Sequence, residues 1–339
     1  MALYVAHPSS HRHDTGGHPE NAGRLRAIEE ALADRDWLGM ERVEAPAADR
    51  SLLERVHSPE HVTAIEEFTA EGGGMIDLDT VASSGSWEAA LHAAGGAAHA
   101  AERVLDEGGV AICGLRPPGH HAERDRAMGF CLFNNVAVAA AHAIEACGAQ
   151  RVLVLDWDVH HGNGTEAIFA ASPDVLYASI HQWPLYPGTG PAGYAGEGDG
   201  EGFTINLPVP PGAGSREFAA LVEHVVAPVG RAFDPGLIAI SAGFDAHRDD
   251  PLANCEVDEA GYADMAAGMR DLGREVGAPI LVCLEGGYDP GALAASLVAT
   301  AETLAGDRPA RPAQRDLADD AIRSAAAHWP VLQKGAASA

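Results

Sequence analysis

The chain has 339 residues, 47% of them hydrophobic and 21% charged, and a formal net charge of −27 at pH 7. That length and balance fit one large or two ordinary globular domains that bury a core without disulfide staples, and they exclude a disordered chain. So large an acidic excess argues against a nonspecific nucleic-acid binder and suits basic partners such as lysine-rich peptides or polyamines.

The first segment, "MALYVAHPSSHRHD", lacks the basic start, long apolar stretch and cleavage site of a secretory signal. Its "LYVA" at 3–6 is instead the first short apolar strand, and a helix is predicted over 22–33. A helix at 86–106 leads into the strand "VAICGL" at 110–115, and a third helix at 134–147 takes Asn134 or Asn135 as its cap. The strands "VLVLDW" at 152–157 and "VLYASI" at 175–180 follow, then a helix over 215–232. "LIAIS" at 237–241, a helix at 258–276, "ILVCLE" at 280–285 and a helix at 290–304 complete the series. Continuous apolar strands alternating with helices imply a sheet covered on both faces. The expectation is a single α/β domain over 1–339, with a doubly wound, mostly parallel sheet. No apolar run reaches the roughly 18 residues that span a bilayer, and no internal repeat is seen. Cys113, Cys131, Cys147, Cys255 and Cys283 show no CxxC spacing and no disulfide framework, which reads as a reduced, cytoplasmic interior.

In sheets of this kind, sites lie outside the carboxyl ends of the strands, and the unusual residues fall there. In "RVLVLDWDVHHGNGT", residues 151–165, an apolar strand ends in Asp156, Asp158 and His160. Residues i, i+2 and i+4 of an extended chain face one way, so these three project together. A second strand, "LIAISAGFDAH", delivers Asp245 to the equivalent place. Asp158, His160 and Asp245 offer oxygen and nitrogen ligands suited to zinc, and three protein ligands leave a position for water. A DxDxH run standing alone is as well explained by a capped strand–loop junction, so the other strand ends carry weight. After 110–115, a Pro-Pro-Gly turn presents His120 beside His121. Two adjacent imidazoles resist being charged together, so their proton affinities should split, one acting as a neutral base and the other as electrostatic support. After 280–285, Gly286 and Gly287 let the backbone turn Tyr288 toward the site, where a phenol can donate to a developing oxyanion. The Gly/Pro-rich "HQWPLYPGTGPAGYAGEGDGEG" supplies a rim. His7, His11, His13 and His18 read as loop and rim groups rather than a second metal site, and Trp183 as a loop anchor.

The blocks "RPPGHHAERDRAMGFCLFNN", "VLVLDWDVHHGNGTEAIF", "SAGFDAHRDDPLANC" and "LEGGYD" resemble the histone deacetylase and acetylpolyamine amidohydrolase family, especially its class II branch. "TGGHPENAGRLRAI", "VHSPEHV" and "AHWPVL" are weaker echoes, so the resemblance runs over nearly the whole chain. It implies a zinc-dependent amidohydrolase on the arginase–deacetylase α/β fold. At the matching positions Asp158, His160 and Asp245 would hold the zinc, and His121 would be the base. His120, partnered by Asp156, would give electrostatic support, and Tyr288 would polarise the acetyl carbonyl. Gly129, Phe130 and Tyr186 would line a tunnel for the aliphatic stem of the substrate, with Gly287 also facing it and Arg24 in a channel beneath. Potassium is expected at the Asp156 side chain with the backbones of Asp158, His160, Ser179 and Ile180. A second potassium position would use carbonyls around Phe169, Ser172, Val175 and Phe203.

Two departures matter. Asn163 stands where class I enzymes carry an aspartate after "HHG", as in class II, and should leave His121 less basic. Leu185-Tyr186 replaces the usual Phe-Phe before "PGTG", making one tunnel wall more polar. Leu252 occupies the position where an acidic residue marks polyamine specificity and leucine marks acetyl-lysine, and a short loop before "GGHPE" points the same way. Acetyl-lysine in peptides or proteins is therefore the expected substrate, with an acetylated polyamine as the alternative. An arginase-like two-metal ureohydrolase would need more carboxylates than the solitary "DAHRDD" at 245–250. A noncatalytic binding protein would be expected to have lost His121, Tyr288 or a ligand, and all are present. The donor set would also hold iron(II) or cobalt(II). Neither nucleic acid nor a membrane is expected as a partner, and an oligomer is compatible with the sequence.

Overall fold

The computed structural model describes residues 1–336. In chain order its strands are β1 (Ala2–Ala6), β2 (Glu41–Glu44), β3 (Gly73–Met75), β4 (Val81–Ser83) and β5 (Val110–Cys113). They continue as β6 (Val152–Asp156), β7 (Val175–Gln182), β8 (Thr204–Val209), β9 (Leu237–Ala242) and β10 (Ile280–Leu284). Eight of them form one sheet in the order β2-β1-β5-β10-β9-β6-β7-β8, with every neighbouring pair parallel. β3 and β4 form a separate antiparallel hairpin.

The apolar runs of β6, β9 and β10 are buried along their whole length. Alternation along each strand divides the core into two layers. Leu153, Leu155, Ile238, Ile240, Ile280 and Val282 pack with the helices at 23–33, 259–276 and 290–305. Val152, Val154, Leu237, Ala239, Leu281 and Cys283 pack against the alanine-rich helices at 86–107 and 135–145. The latter is capped by Asn134, whose Oδ1 accepts the Ala137 amide at 3.0 Å. The predicted helix over 215–232 is present to Phe233, with a wider turn at Val222–Val226. The sheet-edge strands β2 and β8, the hairpin, and the helices at 59–70 and 163–169 were not foreseen. No described helix is long and apolar enough to cross a membrane, and all five cysteines are free.

The chain order positions the site. From β5 the chain jumps to β6, runs outward through β7 and β8, and returns to fill the gap with β9 and β10. The carboxyl ends of β5, β10, β9 and β6 therefore lie side by side where the winding reverses.

Candidate active site

β6 ends on Asp156, and the chain leaves the sheet through side-chain bonds to amides two residues on. Asp158 N donates to Asp156 Oδ1 at 3.1 Å and His160 N to Asp158 Oδ1 at 2.9 Å. Aspartate commonly behaves this way in turns, and here it locks the alternation of the three side chains. Beyond β9, Asp245 reaches across, its Oδ1 accepting the Val159 amide at 2.9 Å. His160 Nδ1 then stands 3.2 Å from Asp158 Oδ1 and 3.1 Å from Asp245 Oδ2. One donor atom from each of the three lies within 4.8 Å of the others, and all three residues are buried. Burial and the neighbouring Asp158 push the Asp245 carboxyl up. Burial disfavours a charge on His160, yet its bonds to Asp158 and Asp245 raise it to about 10. Two buried carboxylates holding one proton on an imidazole make the electrostatic demand that a divalent cation meets. The residues fit a metal.

His120 and His121 follow β5, their rings 4.0 Å apart. His120 Nδ1 bonds Asp156 Oδ2 at 2.9 Å, which also accepts the Tyr177 hydroxyl at 3.1 Å. Asn163 donates from Nδ2 to Glu123 Oε1 at 2.7 Å, so its Oδ1 faces His121 Nδ1 at 2.8 Å. An amide oxygen needs a donor. His121 therefore carries its proton on Nδ1 and keeps the Nε2 lone pair free. Burial opposes a charge on His120, but Asp158 and Asp156 hold its proton affinity well above the ordinary histidine value. Burial, with the charges of His120 and His160, drives His121 well below that value. The pair is split, as its adjacency predicts.

Two acids behind this pair escaped the sequence reading. Glu123 orients Asn163, and nothing local in "HHAE" marks it. Glu285, fully buried and pushed to about 7 by that burial, accepts the amides of Gly119 at 2.6 Å and His120 at 3.1 Å. An acid ending the apolar run "ILVCLE" is its one signal.

Tyr288 follows β10 after Gly287, whose φ of 118° favours glycine. The Arg24 guanidinium lies 5.0 Å from the Tyr288 ring centroid, and Phe130 meets that ring edge-on at 5.6 Å. Arg24 is buried, donates to the carbonyls of Glu285 at 2.5 Å and Gly287 at 2.6 Å, and pairs with Glu20 at 3.1 Å. Gly129 lies against His121, and Tyr186 meets that ring edge-on at 5.2 Å, so the three expected tunnel residues converge. His18 joins this wall, 4.5 Å edge-on to Phe130, and His13 is buried beside Glu20 rather than at the rim. Trp183 and Tyr186 are 38% and 37% exposed. Leu252 is partly buried, its amide held by Asp250 Oδ1 at 2.9 Å.

Of the expected potassium groups, Ser179 pairs with Asp156 across the β6–β7 register, with Ile180 buried next to it. Phe169, Ser172, Val175 and Phe203 gather around the start of β7. There Ser172 N donates to the Phe169 carbonyl at 2.9 Å, and Tyr177 N to that of Phe203 at 2.9 Å. A further cluster, His7, Glu88 and His92, stacks its imidazoles in parallel at 3.4 Å and ties Glu88 to Arg12 at 2.6 Å. Rings lying side by side do not converge on one ion.

Residues 18–304 match the histone deacetylase domain. The chain is 46% identical to a probable deacetylase of Methanothermobacter thermautotrophicus over 90% of its own length and 91% of that protein. It is 42% identical to histone deacetylase 15 of Arabidopsis thaliana over 86% of its length, and spans 53% of that longer protein. A histone deacetylase-like amidohydrolase of Pseudomonas aeruginosa is 39% identical over 86% of this chain and 77% of its own. The crystal structure of the HDA15 HD domain superposes with a TM-score of 0.91 at 38% identity, covering 98% of this chain and 96% of that one.

Proposed function

Because the chain belongs to the histone deacetylase family, a family of hydrolases acting on acetylated substrates, we propose that it is a zinc-dependent amidohydrolase of acetyl-lysine side chains. The products are acetate and the free amine of a peptide or protein. The observation that carries this reading is the buried Asp158–His160–Asp245 group with the neutral base His121 in the same crevice. Zinc in that group would supply a Lewis acid for the amide carbonyl and for water.

The chain's own residues do the rest. His121, its Nδ1 proton held by Asn163, offers Nε2 to take a proton and to return it to the departing amine. His120, bonded to Asp156, keeps a positive charge beside the base. The Tyr288 phenol, held well above its ordinary value by burial and by Asp245, stays protonated and donates to the substrate oxyanion. Gly129, Phe130 and Tyr186 enclose the aliphatic stem and exclude water. Potassium at the Asp156–Ser179 group and beside β7 belongs to the same reading, as do a single deacetylase domain over 1–339 and a cytoplasmic location.

Leu252 favours acetyl-lysine over an acetylated polyamine, because an apolar side chain offers nothing to a second ammonium group. Acetate release by the zinc-loaded protein from an acetyl-lysine peptide and from N-acetylputrescine is the test. Faster turnover of the peptide, with one catalytic zinc per chain, is expected. A preference for acetylputrescine would replace the substrate, and no cleavage of either would remove the reading.

A further inference from the structure

We propose that Asp250 is a positioning residue, its carboxylate tying the loop after β9 to the loop after β10 and so fixing where the Tyr288 phenol points. The inference rests on the role given to Tyr288 above.

Asp250 is 7% exposed, and both of its oxygens accept backbone amides. Oδ1 takes the Leu252 amide at 2.9 Å and Oδ2 the Tyr288 amide at 2.6 Å. The first bond is local, of the kind aspartate makes in any turn. The second spans 38 residues and joins two strand exits. Burying a carboxylate is unfavourable unless its oxygens are bonded; burial and Asp245 push this one up to about 7, and the two amide bonds pull against that rise.

Tyr288 needs such a tether. The residue before it is Gly287, at φ 118°, where the backbone has the freedom of glycine. Arg24 grips the Glu285 carbonyl before that pivot and the Gly287 carbonyl after it. The Gly287 carbonyl and the Tyr288 amide belong to one planar peptide unit, and the bond to Asp250 clamps that unit from its N–H edge, next to the Tyr288 Cα. The same carboxylate carries Leu252, so the phenol and the residue assigned to substrate choice form one rigid unit.

Asp250→Asn is nearly isosteric but replaces one acceptor oxygen with an NH2 group that cannot take an amide proton. A displacement near 1 Å can cost about 10²-fold in rate, so kcat should fall roughly 10- to 100-fold while KM stays within about threefold. Bound metal should be unchanged. Tyr288→Phe should lose on the order of 10²–10³ in turnover, and adding Asp250→Asn to it should cost nothing more, because the effect passes through the phenol. Asp250→Glu, which keeps the charge but shifts the oxygens by one methylene, should give the same pattern and stands in where Asp250→Asn does not fold. Normal kcat in both Asp250 variants beside an impaired Tyr288→Phe would overturn this inference alone. Loss of metal, or a penalty as large on the Tyr288→Phe background as on the wild type, would also overturn it, since Asp250 would then act on the site generally. Full turnover in Tyr288→Phe by itself would overturn the underlying reading.

Discussion

A side chain at position 129 would place its Cβ 2.3 Å from Cδ2 of His121, at a φ of +56° that L side chains rarely adopt. The backbone lies directly on the imidazole, and Phe130, itself at φ 70°, turns its ring onto Tyr288. Gly129→Ala must therefore shift His121 or displace the Gly129–Phe130 segment from it. We expect it to lower stability by about 1–3 kcal/mol and turnover on the order of 10- to 100-fold, with bound metal retained. Urea unfolding, kcat and metal content together decide the matter, and an unchanged kcat would mean that the close approach of residue 129 does not fix the position of His121. That Asp158, His160 and Asp245 come together, with the histidine pair and Tyr288 at neighbouring strand ends, was legible in sequence because such polar groups have little reason to end apolar strands. Their supports were not. Glu123, Asp250 and Glu285 act on partners 40, 38 and 166 residues away, and no local spacing encodes a partner at that distance.

The helix over 135–145 begins on a residue with three duties. Asn134 Oδ1 caps the helix at Ala137 N, while Nδ2 donates to the Ala122 carbonyl at 3.2 Å and to Thr165 Oγ1 at 3.1 Å. It thus binds the helix to the segment just past His121 and to the helix at 163–169. Loss of an ordinary cap costs about 1 kcal/mol, but Asn134→Ala also leaves a buried carbonyl without its donor. We expect about 1–3 kcal/mol in urea unfolding, with Asn134→Asp falling between the two because it keeps the cap alone. Equal stability of all three proteins would mean the cap contributes nothing. Three of the elements that escaped sequence reading, β2, β8 and the helix at 163–169, lack a strong pattern for a physical reason. β2 is "ERVE" on a sheet edge, mostly exposed and charged, as edges must be to avoid pairing with other chains. β8 is "TINLPV", where Asn206 is bonded to Glu166 and Pro208 suits an edge. The helix at 163–169 has seven residues, too few for a 3.6-residue period to show. Central strands, buried on both faces, declare themselves; edges and short connectors do not.

At the scale of the whole molecule, burying four strand exits together brings ionisable groups inside along with the chemistry, and some are held neutral to bolt the layers. His57 is one. It stands just before Ser58, the cap of the helix over 59–70, accepts the Asn134 amide on Nε2 at 2.9 Å, and donates from Nδ1 to the Glu123 carbonyl at 3.0 Å. Both ring nitrogens are used by the neutral tautomer, and protonating Nε2 would set two donors against each other. Burial, then the neighbouring His61, lowers its pKa from 6.5 to about 3. His61 is lowered as well, chiefly by burial. The unfolded chain, with His57 near its ordinary value of about 6.5, binds a proton across that window that the folded chain refuses. Stability from His57 is therefore complete above about pH 6.5 and declines as the pH falls toward 3, by about 1.4 kcal/mol per pH unit. Unfolding free energies from urea at pH 7, 6 and 5 should show that decline. His57→Gln, which offers an acceptor and a donor but does not titrate, should flatten the slope by about 1.4 kcal/mol per unit below pH 6. A slope left unaltered by that substitution would mean that His57 takes up its proton in the folded protein, and that the junction of the helix, the Glu123 loop and Asn134 is looser than these bonds require.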